Sequence, residues 1–254
     1  WRTPEASALL ARASDIVGYR LYLDLLGTAA GKTLHPGTLG AEIERARLAL
    51  DLAAAGKDVA LVSSGDAGIY GLAALVFELL DREERRDWSA VEITVSPGVS
   101  AMQAAAARAG APLGHDFCAI SLSDLLTLWP AIRGRLEAAA AADFVVALYN
   151  PRSARRQQGL AEAAQILLAH RSPITPVLIA RNLGRAGETS LVTTLDALAQ
   201  AEVDMLTIVI VGSSTTRVLA GEPPRLYTPR GYGDFAPQKG RASFETLPAV
   251  APQR

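Results

Sequence analysis

Apolar and polar positions along this chain switch between a helical and an extended period, and each switch marks an element. Thr3-Pro4-Glu5 followed by Leu9, Leu10 and Ala13 predicts a helix capped by Thr3 with Pro4 in its first turn. Asp15–Tyr19 follows as a short strand. Residues 40–56 set Ile43, Ala46, Leu48 and Leu50 among alternating charges, an amphipathic helix that ends at Gly56. The pattern then predicts a strand over 58–62, a helix over 69–81, a strand over 91–95 and an Ala-rich helix over 100–109. Gly110-Ala111-Pro112-Leu113-Gly114 interrupts the alternation. Beyond it come a strand at 117–121, a helix at 130–142, a strand at 144–149, a helix at 154–169 and a strand at 174–180. A short strand near 188–193, a helix near 194–200 and a strand at 205–211 complete the series.

Strands alternating with helices predict an α/β protein with mostly parallel sheets and helices on both faces. The break assigns residues 1–113 to one α/β domain and 114–232 to a second. Residues 233–254 are Pro- and Gly-containing and read as a loose extension. No internal repeat or low-complexity tract is visible in the sequence.

Composition narrows the function. The 254 residues carry 25 Lys and Arg against 26 Asp and Glu, a net charge of −1, so no global field exists to hold nucleic acid or an anionic membrane. Cys118 is the single cysteine, which excludes an internal disulfide and points to the reducing cytosol; no Cys/His cluster has metal-ligand spacing. No apolar run reaches membrane-spanning length, and no signal peptide is evident.

The first candidate chemistry is Ser63-Ser64-Gly65-Asp66-Ala67-Gly68-Ile69-Tyr70-Gly71, directly after strand 58–62. A strand that breaks into Gly and Asp before a helix places a tight loop at the carboxyl edge of a sheet, where open α/β folds bind ligands. Gly65 and Gly68 permit sharp turns and close backbone approach, while Asp66 suits either a helix cap or a ligand bond. Gly27-Thr28-Ala29-Ala30-Gly31-Lys32-Thr33 has three residues between its glycines where a phosphate-binding loop has four, and Pro36 would stop the required helix. The Gly65/Gly68/Gly71 spacing is not that of a dinucleotide loop, and no acidic residue follows strand 91–95 to grip a ribose.

Two further loops follow predicted strands. Asn150-Pro151-Arg152-Ser153-Ala154-Arg155-Arg156 and Arg181-Asn182-Leu183-Gly184-Arg185 concentrate arginines, which clamp carboxylates in bidentate fashion. Arg155 and Arg156 fit an exposed helical face better than a site. Ser121–Leu126 reads as a loop able to cap a helix. Among the histidines, His35, His115 and His170, the last suits the carboxyl end of a helix. His115 fits a hinge hydrogen bond or a site role equally.

Together these loops resemble the S-adenosylmethionine (SAM)-dependent tetrapyrrole methylases of cobalamin biosynthesis. The resemblance rests on Ser64–Gly71, Ser96-Pro97-Gly98-Val99-Ser100-Ala101 and Ala147-Leu148-Tyr149-Asn150-Pro151-Arg152-Ser153. It extends through Val17-Gly18-Tyr19-Arg20, Gly114-His115-Asp116-Phe117, Ser121–Thr127, Ala180–Arg185 and Ile210–Arg217, which point to the ring-contracting branch. It covers Thr3 to about Tyr232. One departure concerns the beginning: the family opens with a strand ending in Gly-x-Gly-Pro-Gly, and Trp1 falls just after that position, so an upstream strand is expected.

The resemblance implies two α/β domains with a cofactor and substrate trough between them, in a homodimer. It implies SAM as methyl donor and S-adenosylhomocysteine as product. Ser64, Gly65, Asp66, Ile69 and Tyr70 would hold the methionine and ribose, joined by Ser100 and Ala101. Asn150, Leu183, Thr207 and Ile208 would close on the adenine; for Ile69, Ala101 and Ile208, core packing is the alternative. Arg20, Arg152 and Arg181 would pair with the acetate and propionate groups of a corrinoid precursor. His115 or Asp124 would serve as general base in ring contraction, and no metal site is expected. Rival readings are a sibling methylase acting at another carbon, one taking a cobalt-loaded intermediate, and a non-catalytic corrinoid-binding protein.

Overall fold

A computed structural model describes residues 1–27, 30–152 and 158–232. The expectations for Arg155, Arg156, the start of helix 154–169 and the extension 233–254 lie outside the described residues. The chain forms two compact units, divided between Ser100 and Ala101.

In the first unit, α1 (Pro4–Arg12) begins as the sequence predicts: the Thr3 hydroxyl accepts the Ala6 N–H at 3.1 Å, with Pro4 following the cap. β1 (Asp15–Tyr19), α2 (Arg20–Asp24), β2 (Thr33–Gly37), α3 (Glu42–Ala54), β3 (Val59–Val62) and α4 (Ala73–Glu83) follow. The strands form a parallel sheet in the order β2-β1-β3. The segment from Gly31 enters β2 rather than a helix, which removes the phosphate-loop reading. Two expectations change here. Helix 69–81 starts only at Ala73, because 63–72 is spent on the glycine loop. The strand expected at 91–95 has no strand partner among the described residues.

The second unit opens with α5 (Ala101–Ala109), β4 (Gly110–Ala111), β5 (Phe117–Ser121), α6 (Trp129–Ala141) and β6 (Val145–Tyr149). It continues through α7 (Gly159–Leu168), β7 (Pro176–Arg181), β8 (Thr189–Thr194), β9 (Thr207–Val211), β10 (Arg217–Leu219) and β11 (Arg225–Tyr227). The helix expected near 194–200 is a single 3-10 turn, Leu198–Gln200. The main sheet runs β5-β6-β9-β7-β8, and only β5–β6 is parallel. This sheet is therefore mixed where a mostly parallel one was expected. The short 182–188 connection lets β7 and β8 pair as a hairpin, which no parallel pair can do. β10, β11 and β4 form a separate small sheet.

Strand alternation divides the second core into two layers. Val146, Leu148, Val177, Val209 and Val211 point to one face, where Ile132 and Leu136 of α6 and Leu160 and Leu167 of α7 cover them. Ala147, Leu178, Ala180 and Ile210 are buried on the other. There α5 packs against β7, β8 and β9, its alanines permitting close approach. The sequence reading placed α5 ahead of the domain break; this packing groups it with the second unit.

Candidate functional site

In the first unit the site is a pair of glycine loops at the carboxyl end of β3. Asp66 joins them: Oδ1 accepts the Gly68 N–H at 2.8 Å and Oδ2 accepts the Gly98 N–H at 2.9 Å. A carboxylate taking one backbone donor from each loop fixes both at once. The loops touch so closely that a Cβ on Gly98 would lie 2.1 Å from the Gly65 carbonyl oxygen. Gly65 itself has φ +79°, the left-handed region that glycine enters without strain. Tyr70 also has positive φ (54°) and is 55% exposed, an unusual state for a bulky residue and one that clusters at ligand clamps. The Ile69 N–H donates to the Asp66 carbonyl at 3.3 Å, and the Leu72 N–H donates to the Ser63 hydroxyl at 3.3 Å, closing the turn. Ser64 is exposed, whereas Ser100 is buried at the end of the second loop. Arg20 opens α2 in this unit and is exposed.

In the second unit, topology gathers the predicted residues on one edge of the main sheet. β5 and β6 are parallel, and two antiparallel steps through β9 make β7 run the same way as β6. The ends of β5, β6 and β7 and the start of β9 thus share an edge, which carries Asp124, Asn150, Arg152, Arg181, Leu183, Thr207 and Ile208. Asn150 sits at φ +51° and donates from Nδ2 to the Ser121 hydroxyl at 3.0 Å, tying the loop after β6 to the loop after β5. The Met102 N–H donates to the Tyr149 hydroxyl at 3.2 Å, linking the first turn of α5, which Ala101 opens, to the end of β6.

Charges on this edge are mostly paired. Arg181 donates from Nε to Asp204 at 2.8 Å, so the guanidinium expected for a substrate carboxylate already has one. Burial would raise the Asp204 carboxyl, but bonds from the Thr207 hydroxyl, Arg181 and the Leu206 N–H outweigh it and hold the carboxyl below its ordinary value. Thr207 is buried with its hydroxyl in that turn, and Ile208 is buried in the sheet. Arg152 differs, because its Nε is buried and without a hydrogen-bond partner among the described residues.

Leu183 rides on the 182–188 hairpin loop. Glu188 closes that loop by accepting the Gly184 N–H at 2.6 Å and pairing with Arg108 of α5 at 2.5 Å. Arg108, and secondarily the Gly184 N–H, lower the Glu188 carboxyl pKa. The sequence reading missed Glu188, Arg108 and Asp204, and no spacing signal joins residues so distant in the chain.

His115 stands apart. It precedes the first residue of β5 while Asp124 follows the last, and a strand of that length spans about 16 Å. Its Nδ1 accepts the Asp116 N–H at 2.8 Å and the residue is half-exposed. Among the described residues no group of three His, Cys, Asp or Glu could hold a metal, and no helix is long and apolar enough to cross a membrane.

Two α/β units with glycine loops at their strand ends define an α/β protein built to hold a small molecule at sheet edges. The profile of the Tetrapyrrole (Corrin/Porphyrin) Methylases matches residues 2–199, and the chain belongs to that family. A probable cobalt-factor III C(17)-methyltransferase of Salmonella typhimurium is 47% identical over 231 residues, which cover 91% of this chain and 93% of that protein. The precorrin-3B C(17)-methyltransferase of Sinorhizobium sp is 44% identical over 232 residues, 91% of each chain. CobIJ of Mycobacterium tuberculosis is 45% identical over 248 residues, and the chain spans about half of its length, 47%. The crystal structure of the methyltransferase CobJ superposes with a TM-score of 0.82 at 43% identity, covering 89% of this chain and 93% of that one.

Proposed function

We propose that this chain is a SAM-dependent C-methyltransferase of corrin-ring biosynthesis that methylates precorrin-3B at carbon 17 with ring contraction to precorrin-4. The observation that carries the reading is the pair of contacting glycine loops locked by Asp66, in a chain nearly half identical over most of its length to two C(17)-methyltransferases. Cobalt-factor III, named for the Salmonella relative, is the second candidate substrate. On this reading the enzyme works in the cytoplasm as a homodimer.

The residues present suit the cofactor. The contact between Gly98 and the Gly65 carbonyl fixes the two loops against each other, and the Ser96 hydroxyl in the second loop is buried without a partner among the described residues. SAM supplies an electrophilic methyl on a sulfonium, so methyl transfer needs no protein nucleophile. Ser64, Gly65, Ile69 and Tyr70 hold its methionine and ribose, with Ser100 and Ala101 beside them, and Asp66 keeps that backbone in shape. Asn150 and Leu183 take the adenine, while Thr207 and Ile208 form the floor of the sheet edge. The protein's main contribution is alignment of the ring carbon with the methyl group. Arg152, whose buried Nε has no partner among the described residues, pairs with a peripheral carboxylate; Arg20 offers a second, and Arg181 contributes by way of its pair with Asp204. Asp124, on the site edge, is the general-base candidate for deprotonating the hydroxyl before ring contraction, in preference to His115.

Incubation with methyl-labelled SAM and either precorrin-3B or cobalt-factor III, read by mass and absorbance, tests this. One labelled methyl and a ring-contracted spectrum on either substrate is the expected result and also assigns the metal state. Corrinoid binding without transfer would instead establish a carrier protein.

A further inference from the structure

The loop between β5 and α6 exposes three leucines within four positions: Leu125 is 77%, Leu126 100% and Leu128 80% exposed. Single exposed leucines are ordinary, but an adjacent set is a contact surface. This loop is not a slack tail. Leu122, just before it, is 2% exposed, and its N–H donates to the Tyr149 carbonyl at 2.9 Å. Trp129, just after it, packs against the core and donates from its indole N–H to Glu162 at 2.7 Å. Both ends are anchored while the leucines between them stand in solvent.

The same strand edge decides what covers them. Ser121 and Tyr149 are paired in register, so the leucine loop leaves the sheet beside the loop that carries Asn150 and Arg152. The Asn150–Ser121 hydrogen bond holds the two together. The edge therefore carries an exposed apolar loop and, on the neighbouring loop, a guanidinium whose buried Nε has no partner among the described residues. A flat ligand with an apolar face and carboxylates around its rim satisfies both; a membrane would call for a cluster of cations, and this loop contains none.

We propose that Leu125, Leu126 and Leu128 form the platform for the apolar face of a polycarboxylate tetrapyrrole, with Arg152 engaging a rim carboxylate. This rests on the methyltransferase reading for the ligand's identity but assigns residues that the reading leaves without a task. The platform governs macrocycle affinity and leaves cofactor affinity alone.

The test compares wild type with Leu125→Gln/Leu126→Gln, Leu128→Gln and the control Leu191→Gln, which alters a 49%-exposed leucine on β8. Binding of cobyrinic acid, a stable polycarboxylate corrinoid, is followed by tryptophan quenching, since Trp129 adjoins the loop. Binding of S-adenosylhomocysteine, the melting temperature and the oligomeric state are measured in parallel. The expected result is a loss of corrinoid affinity of about tenfold or more in the double variant. S-adenosylhomocysteine affinity and melting temperature stay unchanged, and the control matches wild type. Unchanged corrinoid affinity overturns the proposal, as does a wild type that binds no corrinoid. So does a variant that only shifts from dimer to monomer, because a second copy then covers the leucines. If wild type binds corrinoid through the leucines yet transfers no methyl group, the platform stands and the methyltransferase reading falls.

Discussion

The two units fill their interiors differently. In the second, β6, β7 and β9 are buried almost throughout, and one continuous core joins them to α6 and α7. In the first, β1 is buried but every residue of β3 is only half-buried, and α1 buries no residue at all. A cavity of about 790 Å³ accounts for the contrast. Ala60, Leu61, Val62 and Ile93 line it together with Leu9 and Leu10. Among the described residues β3 pairs with β1 on one side only, and strands of parallel sheets are normally covered on both faces. The comparison teaches that similar apolar strands form a packed layer where helices cover them, as α6 and α7 cover the second sheet.

Truncating one leucine in each unit should break or confirm this contrast. Leu148→Ala, at a fully buried position in β6, is expected to cost about 3–4 kcal/mol by chemical denaturation. Leu61→Ala beside the cavity should cost about 1 kcal/mol, since much of its surface is already uncovered. Equal losses would mean that the first unit is as well packed as the second. The cavity can also be filled. Trp1, Arg2 and Thr3 line it, so a strand-forming segment joined ahead of Trp1 reaches it. Burial of two or three apolar side chains there should raise the melting temperature by about 5–10 °C. No change would show that the space accepts no strand.

Gly98→Ala sharpens the comparison at the site itself. A Cβ 2.1 Å from a backbone oxygen forces the glycine loops apart, and S-adenosylhomocysteine affinity should fall at least tenfold. Corrinoid binding on the second unit should change much less. Isothermal titration with each ligand separates the two.

The smallest effect is expected at Glu188. Its carboxyl is held below the ordinary value in the folded chain, so its contribution is complete above the unfolded pKa near 4.5 and fades as pH falls through the lower folded value. Glu188→Gln should therefore abolish an acid-dependent loosening of loop 182–188, seen as faster amide exchange at Gly184, while hardly moving the melting temperature. Identical exchange in both proteins at all pH values would show that the Arg108 pair does not hold the loop.

Much of this was legible along the chain because it depends on neighbours in sequence. The Thr3 cap, the glycine loop after β3, and most strands of the second sheet follow from local pattern, and so do the loops that carry Asn150, Arg152 and Leu183. Strand direction was not legible, since alternation alone reads the same in a parallel pair and in the β7–β8 hairpin. The expected strand at 91–95 has the right residues but no partner among the described residues, and pairing is a property of two segments. His115 and Asp124 look alike as site candidates in sequence, yet the length of β5 sends them to opposite edges.

By itself, then, the sequence determined the α/β class, the family and the positions where backbone must bend sharply, because glycine, proline and apolar period act locally. Tertiary structure alone decided which charges are already taken: Arg181 by Asp204, Glu188 by Arg108, and Asp66 by two backbone donors from loops some thirty residues apart. It also decided that three leucines of the loop between β5 and α6 remain in solvent. Burial and pairing depend on which segments meet in space, and no local pattern encodes that.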